Sequence, residues 1–252
     1  MQIFGSGVLF ARPLTDYAGT AIANPTPVPF GVLQNVGVDI SREIKMLHGA
    51  SQFPVAVGAG KGKFSLKAEF GDIAPNVWGQ LFAGRSQTAA LVALLTADPI
   101  VGAASVTTTP PSSGVFVNDL GLTYAATGAR LVRVAAAPTV GQYTVSGAGT
   151  YVFNATDNGV AFLRNYEYSV ASMPGHSQFA LSNDAMGTLP TFSLKAQSLY
   201  KGQRLVLSLN SCVAPKLGMS FKNDDFNIPN LDIEALDNGS GSLGTLTISE
   251  LA

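Results

Sequence analysis

The sequence predicts a mainly β protein of antiparallel strands, with extended hairpins and one short flanking helix. Three observations carry this expectation. Apolar and polar residues alternate with period two along much of the chain from Val36 onward, the mark of strands with one buried and one wet face. The 252 residues include 27 glycines and 14 prolines, which supply frequent turns. Only the segment around Asp72–Gly84 carries both start and stop signals of a helix.

The elements follow in order. Residues 1–29 are Gly/Pro-rich and read as an extended N-terminal arm ending in "NPTPVPFG"; residues 30–252 read as a single β-rich domain. Val36, Val38, Ile40, Ile44 and Met46 fall on one strand face, and Gly37, Asp39, Ser41, Glu43 and Lys45 on the other. Arg42 interrupts the apolar face and marks a bend or a strand end. Gly58-Ala59-Gly60-Lys61-Gly62 reads as a glycine loop. The next strand sets Phe64, Leu66, Ala68 and Phe70 against Lys63, Ser65, Lys67 and Glu69. The two strands read as an extended hairpin joined by a long loop, Leu47–Gly60.

Asp72 as cap, Pro75 in the first turn and Gly84 as stop predict a helix within Ala74–Ala83. Val77, Trp78, Leu81 and Phe82 form its apolar stripe. Pattern leaves Thr88–Thr96 open between helix and strand. Residues 105–170 hold short β-branched and aromatic runs, among them "GQYTVSG", "GTYVFNA" and "FLRNYEYSV", separated by turn residues. Later runs include "RLVLSLNSCV", "KLGMSF", "NLDIEAL" and "GTLTISEL". Tyr200-Lys201-Gly202-Gln203 predicts a hairpin turn.

Composition excludes several classes. Charged residues make up 12% of the chain and the net charge is -1. No basic footprint exists for a phosphate-gripping nucleic-acid binder. So low a charge content suggests surface hidden against copies of the same chain. The single cysteine, Cys212, implies no disulfide framework and reads as a small core residue. Met1–Leu14 has no basic region ahead of its apolar stretch and does not read as a secretory signal. The apolar run 89–101 is broken by Asp98 and Pro99 and is too short to span a bilayer.

No reactive constellation emerges, so the chain reads as no enzyme, with neither metal nor cofactor. His48 and His176 lack a Cys/His cluster around them. The Gly60-Lys61 and Gly62-Lys63 pairs lack the upstream glycine of a phosphate loop. Asp224 and Asp225 read as a turn ahead of Pro229. Asp232 and Glu234 share one strand face and read as its solvated side. The conspicuous feature is instead a repeated word. "FSLKA" occurs at Phe64–Ala68 and again at Phe192–Ala196, with "SQF" upstream at Ser51–Phe53 and Ser177–Phe179.

A long alternating hairpin, a short capped helix, "GQYTVSGAGTYVFNATDNGVAFLRNYEYSV" and a closing stretch from "FSLKAQSLYKGQRLVLSLNSCV" to "GTLTISEL" together resemble the major tail (tail tube) proteins of long-tailed bacteriophages. The resemblance covers residue 30 to the end and rests on the order and texture of segments. It implies a tail-tube β-sandwich or barrel flanked by a helix. It implies hexameric rings, stacked into the tube through which DNA passes to the host. The partners implied are copies of the chain itself, and other tail proteins such as tape measure and terminator. DNA is non-specific passing cargo, and this chain inserts in no membrane. The place implied is the virion, after assembly in the bacterial host cytoplasm. The implied inner-barrel strands are Gly31–Met46 with Gly62–Phe70, and Thr191–Leu199 with Arg204–Val213. The implied lumen-facing residues are Asp39, Glu43, Lys45, Lys63, Lys67, Glu69 and Lys195. The acidic residues after Lys222 either add to that wall or meet a neighbouring ring. The arm Ala11–Phe30 and the loop Leu47–Gly60 become candidate contacts between subunits. Rival classes are a decoration, adhesin or carbohydrate-binding module, and a type VI-like secretion tube.

The repeated word gives a first test. Leu66 and Leu194 are expected to face the core, and Lys67 and Lys195 the wet side. Truncation of a buried Leu costs about 2–5 kcal/mol, and a buried charge more. Leu66→Asp and Leu194→Asp should therefore give insoluble or unfolded protein. Lys67→Asp and Lys195→Asp should keep the wild-type melting temperature within a few degrees, since exposed charges contribute little. Soluble yield and thermal melts of the four variants check this, and the reverse pattern would invert the faces.

Overall fold

The computed structural model describes residue 5 and residues 7–50, 52–72, 74–221 and 223–249. Ser51 of the first upstream triplet, Lys222, Glu250 and the first residues of the arm lie outside the described residues. The strands are β1 (Val8–Pro13), β2 (Val28–Pro29), β3 (Leu33–His48), β4 (Pro54–Phe70), β5 (Leu91–Val101), β6 (Val106–Thr107), β7 (Val115–Tyr124), β8 (Val132–Arg133), β9 (Gln142–Val145), β10 (Thr150–Phe153), β11 (Ala161–Val170), β12 (Phe192–Tyr200), β13 (Gln203–Gly218), β14 (Asn230–Ala235) and β15 (Gly244–Ser249). The protein is mainly β, as its alternation predicts.

The expected single domain over 30–252 is corrected. The chain forms two compact units, one from residues 1–87 with 179–252 and one from Thr88–Gln178. Each has its own hydrophobic core. Alternation reports which face a residue takes but not which core receives it.

The first unit is an eight-stranded sheet in the order β2-β1-β12-β13-β14-β4-β3, with β15 also on β13. Its ladders are antiparallel. The expected extended arm is strand-paired at its two ends. β1 pairs with β12 and β2 with β1, and Leu9, Ala11, Val28 and Phe30 are buried. Alternating apolar residues at Leu9, Ala11 and Pro13 give the arm a core-facing edge that its Gly/Pro content obscures.

Both copies of FSLKA lie in this sheet, in β4 and β12, with the same phase. Leu66, Phe192 and Leu194 are buried and Phe64 packs against the same core, while Lys67 and Lys195 are exposed on the other face. Three antiparallel steps, β12 to β13 to β14 to β4, separate the copies, so they run in opposite directions. Lys201 (φ 47°) and Gly202 (φ 81°) form the β12–β13 turn, the two left-handed positions that match the twist of flanking strands. The expected "KLGMSF" strand ends at Gly218, and Met219–Phe221 is loop.

The expected helix is present as a π-helical turn, Val77–Phe82, in which Ala83 N–H donates to the Trp78 carbonyl at 3.0 Å. Val77 and Leu81 are buried and Trp78 and Phe82 pack on the sheet's core. Gly84 ends it at φ 61°. Asp72 does not cap it. Its Oδ1 instead accepts the N–H of Val32 at 3.0 Å and fixes the start of β3. Gly31 is needed there: at φ 70°, a Cβ would sit 2.5 Å from the Asp72 carboxylate.

The second unit pairs two sheets, β5-β11-β7 and β6-β10-β9-β8. The undecided 88–96 segment thus supplies strand. β8 and β9 form the one parallel ladder among the described residues. Both sheets contribute to a core rich in aromatic rings, including Phe116, Tyr143, Tyr151, Phe153, Phe162 and Tyr166. Buried polar groups are satisfied there, as a dry core requires. The Asp119 carboxylate, 3% exposed, accepts the hydroxyls of Tyr143 (2.7 Å) and Tyr151 (2.9 Å). The buried Arg164 guanidinium pairs with Asp98, donates to Thr108 Oγ1 at 2.8 Å and lies over the Tyr166 ring.

Burial, then the Asp119 contact, pushes both phenols well above the usual tyrosine range. A group whose folded pKa is raised gives stability that is complete below the unfolded pKa, about 10. That stability is lost as pH climbs toward the folded value. The second unit should therefore weaken above about pH 10. The tyrosine-monitored melting temperature should fall as pH rises past about 10, and a melting temperature that does not fall would contradict it. Tyr151→Phe removes a bond to a charged acceptor and should cost about 1.5–3 kcal/mol in the tyrosine-monitored transition. The transition of the single tryptophan, Trp78 in the first unit, should stay where it is.

Candidate assembly surface

The hairpin β3–β4 outruns the core that should cover it. β3 has 16 residues and is about 50 Å long at about 3.3 Å per residue. β14 covers β4 only along Ser65–Glu69. On the apolar face Val38 lies opposite Leu66, Ile40 opposite Phe64, Ile44 opposite Ala59 and Met46 opposite Val57. Leu66 is buried and Val36 partly so. Beyond them Val38 is 50% exposed, Ile44 60% and Val57 65%. The sequence leads one to expect this whole face inside the subunit. Only its base is, because among the described residues no strand besides β3 pairs with β4 beyond Ser65.

The glycine stretch lies within β4 rather than in a loop, and the true tip is residues 49–53. The expected contact loop Leu47–Gly60 is therefore mostly strand. Of the bend or strand end expected at Arg42, the strand does not end, and a register shift between Arg42 and Ile44 marks a bulge of the kind that bends a ribbon. The arm Ala11–Phe30 is tied down at its ends, where Ala11, Val28 and Phe30 are buried, while residues 17–24 between them are exposed.

Where β14 ends, the sheet forks. Val36, Val38, Ile40 and Phe64 of the hairpin look across an apolar groove of about 340 Å³ toward Ala196, Leu205, Leu207 and Leu246. Ser198 Oγ lines the groove, buried and without a hydrogen-bond partner among the described residues. Beyond the groove Leu246 and Ile248 are each 57% exposed.

The opposite face of the same sheet is polar. It brings Asp39, Lys63, Lys67 and Glu69 together with Asp232 and Glu234. Lys63 Nζ lies 2.7 Å from Glu234 and Lys67 Nζ 2.8 Å from Glu69. The hydrogen bond to Glu234 holds the Lys63 ammonium above its ordinary pKa, and the bond to Glu69 does so for Lys67. Donation from Lys67 and then Asn35 holds the Glu69 carboxyl below its own. Glu43 and Lys45 lie further out toward the tip. Lys195 is on the same face, but β13 and β14 separate it from the cluster. Asp232 and Glu234 read only as a solvated side from sequence. Their strand face was legible, but the β14–β4 register that seats Glu234 beside Lys63 was not.

The residues of other candidate chemistries stay apart. His48 ends β3 and His176 belongs to the other unit. Cys212 is buried, and burial pushes its thiol up to about 12. Among the described residues no three His, Cys, Asp or Glu side chains gather as metal ligands. No helix there is long and apolar enough to cross a membrane. Comparison with protein-family models and with curated proteins gave no match.

Surface of this kind predicts dye binding. The dissociated chain should enhance the fluorescence of an anilinonaphthalene dye, and Ile40→Asp should reduce that signal while leaving the thermal transition unchanged. Equal dye signals from both proteins would show that the groove is not the exposed apolar site.

Proposed function

We propose that this chain is a structural subunit that joins copies of itself into closed, stacked rings, as a tail-tube protein of a long-tailed bacteriophage virion. The observation that carries this reading is the uncovered apolar face of β3–β4. Contiguous exposed apolar surface on a soluble chain marks an interaction site. An uncapped sheet edge is a further liability that ring closure removes.

The polar face fits a channel wall. Duplex DNA carries about one charge per 1.7 Å, and a basic wall would hold it through its phosphates. Here Lys63 and Lys67 are matched by Glu234 and Glu69, with Asp39 and Asp232 beside them. A wall on which carboxylates outnumber ammonium groups lets DNA pass without gripping it. In this reading the further partners are the tape measure and terminator proteins of the tail, and the chain does no chemistry.

Ile44→Lys combined with Val57→Lys tests it. Both side chains are exposed in the single subunit, so the variant should melt within about 2 °C of wild type, since surface substitutions usually change stability by no more than about 0.5 kcal/mol. Wild type should form rings or tubes in negative stain, and the variant should be a monomer in light scattering. Wild-type protein without assemblies, or a variant that assembles normally, would sink the reading.

A further inference from the structure

Among the described residues the large sheet has open edges at β1 with β2, at β3, at β15 and along β4 outside Ser65–Glu69, and they are not alike. The edge at β1 and β2 is guarded: β2 is two residues long, and Pro13, Pro25, Pro27 and Pro29 surround it. Proline and very short strands are the devices by which proteins blunt an edge. β3 presents 16 residues without a proline. β15, Gly244–Ser249, has neither proline nor charged side chain. Among the described residues β3 pairs only with β4, and β15 only with β13. Asn210 N–H donates to the Leu243 carbonyl at 2.9 Å. By the alternation of an antiparallel ladder, Thr245 and Thr247 then bond to β13. The amides and carbonyls of Leu246 and Ile248 point to the open side.

We infer that the open edge of β15 is built to receive β3 of a second copy of this chain. The side chains match in phase. β15 shows Leu246 and Ile248 on the groove side and Thr245 and Thr247 on the polar side; β3 shows Val38, Ile40 and Ile44 against Asp39, Ser41 and Glu43. Pairing in that phase extends both faces, with Arg42 the one charge on the apolar side, at the bulge between Arg42 and Ile44. Charge agrees. β1, β12 and β13 carry Arg12, Lys195, Arg204 and Lys216, and none of β1, β12, β13 and β15 carries an acidic residue, while β3 brings Asp39 and Glu43 against the single Lys45 to the polar face. A β3-to-β15 contact joins two different patches, so it is heterologous and propagates into a ring or a filament rather than stopping at a dimer. The inference rests on the self-assembly reading and names its joining edges.

The test uses the full chain. Leu246→Pro removes an amide from the open edge and no bond to β13, and Ile248→Lys adds a charge to it. Both should give monomers in light scattering with the wild-type Trp78 emission and melting temperature. In a second arm, chains with Thr247→Cys are mixed with chains carrying Asp39→Cys before assembly and treated with a short bis-maleimide. The buried Cys212 stays out of the reaction. A covalent dimer in the mixture, absent from either chain alone, supports the pairing, and it does so even if the edge variants fail to fold. Wild-type assemblies with unaffected edge variants, or cross-links within one chain type alone, overturn the pairing and leave self-assembly standing. A wild-type chain that stays monomeric overturns both.

Discussion

A side chain on a β-strand keeps the face its position dictates, whether or not anything lies there to cover it. In this protein that constraint runs from the core to the surface along one hairpin. Leu33 and Val36 on β3, and Phe70, Ala68 and Leu66 on β4, share the core with Leu231, Ile233 and the helix residues Val77 and Leu81. The same alternation continues through Val38, Ile40, Ile44 and Met46, where the subunit supplies nothing to pack against them. Burying one such side chain is worth about 1.5–3 kcal/mol. A row of them left in water is a standing driving force for association.

The repeated FSLKA belongs to the same logic. Each copy sets Phe and Leu toward one core and Ser and Lys toward the polar face, at two places where the sheet needs the same cross-section. Their opposite directions and different neighbours, Val38 and Ile233 for Leu66 but Ala11 and Leu209 for Leu194, set the limit of the likeness. It is a recurrence of strand chemistry, and it does not extend to the surrounding topology.

Much of this was legible in the sequence because it is local. The strand phases at Val36–Met46 and Phe64–Phe70, the helix at Val77–Phe82 and the turn at Lys201-Gly202 follow from patterns a few residues long. What was not legible is set by distant partners. The arm's place beside β12 depends on Leu9 meeting Ala196, nearly two hundred residues later. The independent core of Thr88–Gln178 depends on which aromatics meet across two sheets. Asp72 looks like a helix cap until β3 begins beside it and offers the Val32 amide. The candidate polar face was read correctly strand by strand, yet the ion pair of Lys63 with Glu234 required the β14–β4 register. Above all, alternation announces a buried face without saying whether its own chain is long enough to bury it.

The account stands on the outer half of the hairpin being covered only by assembly. Amide hydrogen exchange read along Val38–Met46 measures this most directly, in the dissociated chain and in the assembled material. The account predicts fast exchange in the free subunit, where β3 has one paired edge and a wet apolar face, and strong protection after assembly. Leu66 and Leu194 should be protected in both states. Equal exchange along Val38–Met46 in both states would contradict it.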